Sequence, residues 1–405
     1  MTSSNFLKSN NLSDTDEEIA DDVLPPTVEQ IAVPVELNTV FPWHRPRKQF
    51  VRREQWVKLS NRLIEKVRGT PALPTQLDGR HEIKYLTLPG LDYLDVEMVA
   101  QQAKDRNCVL TSIGFLENSV GNAASARAEL RQESLVKSGA ISDRSHTFNR
   151  RIQEITTKSS AAYRELKNKG PFHVINLDTC GSIALPGADS DNQMIKVVHA
   201  LLEYQFANYS GHWLLFVTTD VRKEQFAQET IDALYQAIKS NAQQSDEFKQ
   251  RALQFLGSPD SDIDTALPLF VNGGEDNFMK SFALGFGKWL LALAREQDWS
   301  MKMHSSYCYS TTPEGDERAS MPCMAFEFVP PPMQLNDPFG VVAVPVAIQP
   351  NYADSSFRVL QKVTEIDNLD GRLGEDDTLR QQLLAETKLH LERIGYSAEA
   401  LKSLA

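Results

Sequence analysis

The stretch Phe172 to Ile183, FHVINLDTCGSI, is an apolar run that ends on a carboxylate, a hydroxyl, a thiol and a glycine. Val174, Ile175 and Leu177 suit a strand covered on both faces, and Asp178 and Gly181 fall where the chain must turn outward. Ligands of open α/β sheets bind at such carboxyl ends, so Asp178 is the candidate site acid. Cys180 beside it has no histidine near in sequence to activate it and reads as a small half-buried thiol rather than a nucleophile. A second group able to do chemistry lies upstream, in FPWHRPRKQFVRREQW. There Arg45, Arg47, Lys48, Arg52 and Arg53 alternate with Trp43, Phe50 and Trp56. Cations interleaved with rings can contact phosphates and stack on bases, which makes this segment a candidate RNA or DNA contact. The competing reading is an amphipathic lead-in helix whose cations are solvated at the surface or pair with the acidic N-terminal tail. The histidines show no HExxH spacing and the four cysteines no CxxC pair, so no metal is expected.

The elements that must position these groups alternate from residue 81 onward. IKYLTLPG reads as a strand ending at Pro89 and Gly90, DYLDVEMVAQQAKDR as a helix, CVLTSIGF as a strand and NAASARAELRQESLVK as a helix. Alternation of this kind predicts a parallel sheet with crossover helices. A long helix is expected over HTFNRRIQEITTKSSAAYRELKNKG, ahead of the strand that holds Asp178. An S-x-x-Q box at Ser190 to Gln193 opens the next helix, HWLLFVTTD is a buried strand, and RKEQFAQETIDALYQAIKS is its helix. Residues 242–275 carry turn formers with little periodicity and read as an insertion. DNFMKSFALGFGKWLLALAREQ resumes as a helix in which Gly285 and Gly287 permit close packing. MKMHSSYCYS and PCMAFEFVP alternate with period two and predict an antiparallel hairpin, and VVAVPVAI a further edge strand. The fold class is therefore α/β, a doubly wound, mostly parallel sheet with a C-terminal antiparallel hairpin and helical extensions.

This order of elements resembles the class I S-adenosylmethionine-dependent methyltransferases, whose sheet is parallel except for a strand inserted from a closing hairpin. Locally, residues 175–220 resemble a region of the tRNA guanine N2,N2-dimethyltransferases that reads roughly D-L-D-P-Y-G-S-P, a helix, then G-G-L-L-x-V-T-x-T-D. The shared positions are Leu177, Asp178, Gly181, Ser182, Gly211, Leu214, Leu215, Val217, Thr218, Thr219 and Asp220. Thr179 and Cys180 stand where that family has Pro-Tyr, so the aromatic that would flank a target amine is missing. The resemblance implies S-adenosylmethionine as cofactor. Gly90 would let the loop after the first strand approach the amino-acid portion, Glu117 would hold the ribose hydroxyls, and Asp143 would face the adenine amino group. Asp178 would lie beside the transferred methyl and accept hydrogen bonds from the attacking amine. The implied function is a methyltransferase-like protein acting on nucleic acid. The alternative is a catalytically inactive module of the same fold that joins a larger complex, with its C-terminal helices meeting a protein partner.

Composition sets the outer limits. With 41% hydrophobic and 24% charged residues the chain reads as an ordinary globular protein rather than a fibre or a disordered chain. A formal net charge of −12 argues against indiscriminate coating of nucleic acid, which needs clustered cations. No apolar run is long enough to span a bilayer and the N-terminus is polar and acidic, so no membrane association is expected and the cytoplasm is the expected location. The expected organisation is an acidic disordered tail over 1–40, a basic aromatic lead-in over 41–80, the Rossmann-like domain over 81–348 with its insertion, and a helical extension over 349–405.

Overall fold

The structure is a computed structural model that describes residues 39–70, 72–73, 75–76, 78–116, 121–179, 181–185, 193–310, 320–331 and 352–404, with backbone alone at 121–124. Residues 1–38 of the expected tail, Glu117, Cys180, Ser190 and the VVAVPVAI strand lie outside the described residues.

The lead-in segment is one continuous helical rod. Pro46, whose fixed φ suits a first helical position, opens α1 (Pro46–Val51); a π-helical turn, Arg52–Val57, follows without a break, and α2 (Lys58–Val67) continues it. Phe50, Trp56, Leu59, Leu63, Ile64 and Val67 form its buried stripe. There follow β1 (His81–Thr87), α3 (Leu94–Lys104), β2 (Cys108–Phe115), α4 (Gly121–Lys137), β3 (His146–Phe148), α5 (Ala161–Lys169), β4 (Val174–Asp178), α6 (Met194–Asn208) and β5 (Trp213–Thr218). Four helices come next: α7 (Gln228–Gln244), α8 (Asp246–Phe255), α9 (Ile263–Asn272) and α10 (Glu275–Glu296). The chain closes with β6 (Ser300–Met303), β7 (Tyr307–Tyr309), β8 (Met321–Val329), α11 (Tyr352–Thr364), β9 (Asp367–Asn368), α12 (Leu369–Glu375), α13 (Asp377–Arg393) and α14 (Ala398–Lys402).

The strands form a mixed, mostly parallel sheet in the order β3-β2-β1-β4-β5-β8-β7-β9, with β6 also pairing β8. From β1 the chain winds outward to β2 and β3, then returns to the other side of β1 as β4. The strand order therefore reverses between β1 and β4, and side chains there can lean apart to leave a crevice. β8 runs antiparallel to β5 on one side and to β6 and β7 on the other. Both faces are covered, which is why β4, β5 and β8 read as nearly unbroken apolar runs. Ile175, Leu177, Leu215, Val217 and Phe326 join one core with α6, α7 and α10. Tyr85, Val174, Leu214, Phe216 and Ala325 join the other with the N-terminal rod and α3.

Several expectations are corrected. The long helix over 146–170 is β3, a short 3-10 turn at Ile152–Thr156, and α5, started by Ser160 accepting from the Tyr163 amide. The insertion is not irregular: Ser245 and Asp262 cap α8 and α9 by accepting from the amides of Phe248 and Thr265. The first arm of the hairpin is broken at His304 to Ser306 into β6 and β7, each pairing β8. The C-terminal helices cover the chain itself, with α13 against α1 and α12 beside β7. Among the described residues no helix is long and apolar enough to cross a membrane.

Candidate functional site

The β1–β4 register pairs Thr87 with Asn176, so Pro89 and Asp178, two residues on, leave the sheet side by side at its carboxyl rim. Gly90 follows on one side, and Asp178 lies against Thr218 of β5 on the other. Strand alternation turns Tyr85, Thr87, Asn176 and Asp178 toward the N-terminal rod. Beneath the rod they form a polar cluster. Asp95 of α3 accepts from Thr87 Oγ1 at 2.8 Å and from the Tyr85 hydroxyl at 3.2 Å, and Asn176 Nδ2 donates to the Tyr85 hydroxyl at 2.9 Å.

The rod supplies the cations. Lys48 Nζ donates to Asp178 Oδ1 at 2.5 Å, with the Tyr309 hydroxyl at 3.4 Å and the Trp56 ring centroid at 4.7 Å. The Lys48 side chain is 2% exposed and that of Asp178 23%, so solvent reaches the acid at the rim and the amine lies directly behind it. Arg52 begins the π-helical turn, a wide turn often found at functional sites. It is 4% exposed, and its Nε and Nη1 have no hydrogen-bond partner among the described residues. Burial pushes its guanidinium below its ordinary value, with Asp95 and Asp178 pulling the other way. Burial likewise pushes the Asp95 carboxyl up, opposed by the Thr87 hydrogen bond and the Arg52 charge. Asn176 Oδ1 and Trp43 Nε1 are also buried without partners among the described residues.

The loop after β1 is locked from the N-terminal side. The Phe41 amide donates to His44 Nδ1 at 3.1 Å, which leaves Nε2 protonated and donating to Asp92 Oδ2 at 2.8 Å. Burial lowers the His44 pKa, and the Asp92 bond opposes it. Arg127 and the Tyr396 hydroxyl also reach Asp92. Burial works against the ionised Asp92, but the His44 hydrogen bond and the Arg127 charge outweigh it and hold its carboxyl below the usual range. A Cβ on Gly90 would meet nothing nearer than Trp43 Nε1 at 3.9 Å, so packing within the chain does not demand glycine there. After β4, the Thr179 hydroxyl lies 2.8 Å from the carbonyls of Gly181 and Thr218, and Thr219 Oγ1 accepts from the Ile183 amide at 3.0 Å. These bonds clamp the turn, which gives Thr179 a structural task where the resembled family has proline. Nothing stands within 4 Å of a Cβ on Gly181.

Of the residues singled out from sequence, the fold brings together Asp178, Gly90, Lys48, Arg52, Trp43 and Trp56. Asp143 is not among them. It is exposed, three residues ahead of β3, beside the middle of β2, and its neighbour Arg144 reaches back to Glu82 near the start of β1. An adenine held at the rim is therefore out of its reach. The nucleic-acid reading of the basic segment is also corrected. Lys48, Arg52 and Trp56 are buried; Arg47 pairs with Asp370 at 2.7 Å, and Arg53 with Glu54 at 3.0 Å and Glu386 at 2.8 Å. Arg45 is exposed and Trp43 half-buried, too little to track a phosphate backbone. Asp92, Asp95, Asn176 and Tyr309 were missed. Asp92 and Asp95 were visible beside Gly90, but acids at a helix start are ordinary macrodipole partners and carry no signal alone.

No curated protein matches this sequence at a significant level. The family description PP_RS20740-like matches residues 37–405, which takes in the rod, the sheet and the C-terminal helices as one unit. The chain belongs to the PP_RS20740-like family.

Proposed function

We propose that this chain is a methyltransferase-like protein that binds S-adenosylmethionine at the carboxyl rim between β1 and β4. One observation carries the reading: Gly90 and Asp178 leave adjacent parallel strands at the point where strand order reverses. Two others support it. The antiparallel β8 lies between β5 and the β6–β7 arm, the arrangement that the sequence resemblance implies. The rim also holds carboxylates and a buried guanidinium with two nitrogens unpaired among the described residues, a set complementary to an amino acid's ammonium and carboxylate. Arg52 would take the carboxylate, with Gly90 leaving room for the amino-acid portion beside it, and Asp178 would face the acceptor amine. The cofactor would supply an electrophilic methyl group. The protein's own part would be positioning and the exclusion of water under the rod.

Calorimetric titration of the folded protein with S-adenosylmethionine tests this. Saturable heat that Arg52→Met abolishes, with the circular dichroism spectrum unchanged, is expected. No heat at about 1 mM ligand, which means binding weaker than about 4 kcal/mol, would refute the reading. One specific observation favours a second reading, an inactive module of the same fold: the Lys48 ammonium already occupies Asp178, the acid expected to receive a substrate amine. That module would bind no cofactor and would associate through other surfaces.

A further inference from the structure

The Lys48 amine has an unusual address. It is the one group that sequence reasoning assigned to a nucleic-acid surface and that the fold delivers to the site acid instead. Its Nζ is 2.5 Å from Asp178 Oδ1 and 3.4 Å from the Tyr309 hydroxyl, with ring centroids of Trp56 at 4.7 Å and Tyr309 at 5.8 Å. A carboxylate with one aromatic face and a phenol hydroxyl is an environment that recognises an ammonium, and it tolerates N-methylation because the charge and the cation–π attraction to Trp56 persist. At 2% exposure the amine is out of reach of an external modifying enzyme, whereas Asp178, at 23%, is open to the rim.

We infer that Lys48 is a self-methylation site, the amine acceptor that this rim carries on its own N-terminal rod. The inference rests on the reading of the rim as a site for a methyl sulfonium donor. Lys48 gives up one proton through Asp178 to solvent, and its lone pair forms the N–C bond. The methyl–sulfur bond breaks with its electron pair moving to sulfur, leaving a neutral thioether and an N-methylated, still cationic lysine. Asp178 serves as proton acceptor and orienting group, and Trp56 and Tyr309 hold the cation before and after transfer.

The test is peptide mass mapping of the full chain, both as isolated from cells and after incubation with methyl-deuterated S-adenosylmethionine, paired with calorimetry on the same sample. The expected result is a methyl group on the Lys48 peptide, labelled in the incubated sample. It should be absent in Lys48→Arg and acquired roughly 100-fold more slowly in Asp178→Asn, in keeping with the usual worth of one proton acceptor. Wild-type protein is the primary readout, so a variant that folds poorly does not weaken the test. Saturable cofactor binding with Lys48 unmodified, or with label on another lysine instead, overturns this inference and leaves the cofactor reading standing. Absence of binding overturns both.

Discussion

Replacing Lys288 by methionine should stabilise the protein by an amount that depends on pH. Lys288 lies in the middle of α10, fully buried, with its Nζ 4.0 Å from the Phe248 ring centroid and no hydrogen-bond partner among the described residues. Burial alone brings its pKa from 10.5 down to about 7. The unfolded chain holds the proton up to its ordinary value, while the folded chain releases it near neutrality. Between the two the unfolded state binds more protons, so stability rises with pH across that window, and the full penalty is borne below it. A fall from 10.5 to about 7, at about 1.36 kcal/mol for each pH unit, amounts to roughly 5 kcal/mol. The Phe248 contact opposes only part of it, by about 1–2 kcal/mol. Methionine is one atom shorter, unbranched and uncharged, so Lys288→Met should gain several kcal/mol near pH 6 and progressively less toward pH 10. Urea unfolding at several pH values, compared at constant slope, reads this directly. A gain that does not change with pH, or a loss at every pH, would refute the account of Lys288 as a buried amine without a compensating partner.

Two further outcomes follow from the packing. Glu327 of β8 accepts from Lys66 at 2.6 Å and from His212 and His304 at 3.1 Å each. Burial opposes its charge, but the hydrogen bonds from His212, His304 and Lys66 outweigh it and hold the carboxyl far below the usual range. A depressed carboxyl contributes stability present above its ordinary value and lost as pH falls, so Glu327→Gln should flatten the acid limb of a stability–pH curve. At neutral pH it should cost about 3 kcal/mol by leaving Lys66 and the imidazoles unpaired, and an unchanged acid limb in chemical denaturation would contradict this. Gly285→Ala sets two effects against each other. Alanine gains about 1 kcal/mol of helix propensity, but its Cβ would stand 2.8 Å from Leu234 Cβ and 2.9 Å from the Leu234 carbonyl. Overpacking of that kind costs about 1–3 kcal/mol, so net destabilisation of α10 against α7 is expected, and a raised melting temperature would show that the helices can part.

What the sequence disclosed tracks how many faces of an element are buried. β4, β5 and β8 were legible because burial on both faces leaves almost only apolar residues, and Gly285 and Gly287 were legible as contact points because little else justifies glycine inside an apolar helix. The three-residue β3 was not, since an edge strand needs no such pattern: His146, Thr147 and Phe148 are exposed or half-buried. α8 and α9 were hidden because their caps, Ser245 and Asp262, stand among residues that equally signal turns. At the rim, Asp178 and Gly90 could be located from the strands that end on them. The pairing of Lys48, Arg47 and Arg53 could not, because the acids that receive them, Asp178, Asp370 and Glu386, arrive from remote parts of the chain.

The two ends of the sheet carry similar charges in different states of completion, and that contrast bears on what the rim is for. At the amino end, Glu327 is buried with donors from three separate parts of the chain, Lys66 of α2 and the connecting residues His212 and His304, on its two oxygens, so a costly charge is fully compensated. At the carboxyl end, Lys48 and Arg52 are buried over Asp95 and Asp178, yet two guanidinium nitrogens and the Asn176 carbonyl oxygen have no partner among the described residues. Apolar replacements of matched volume would remove that cost without the desolvation of four ionisable groups. A π-helical turn lies at the same point, where an ordinary α-helical turn would serve packing alone. Departures that coincide at a strand-order reversal mark a place shaped by something other than stability. A ligand with one acidic and one basic group would bring the rim to the same completeness as the opposite end, and thermal stabilisation by such a ligand, lost in Arg52→Met, is the form that completeness should take.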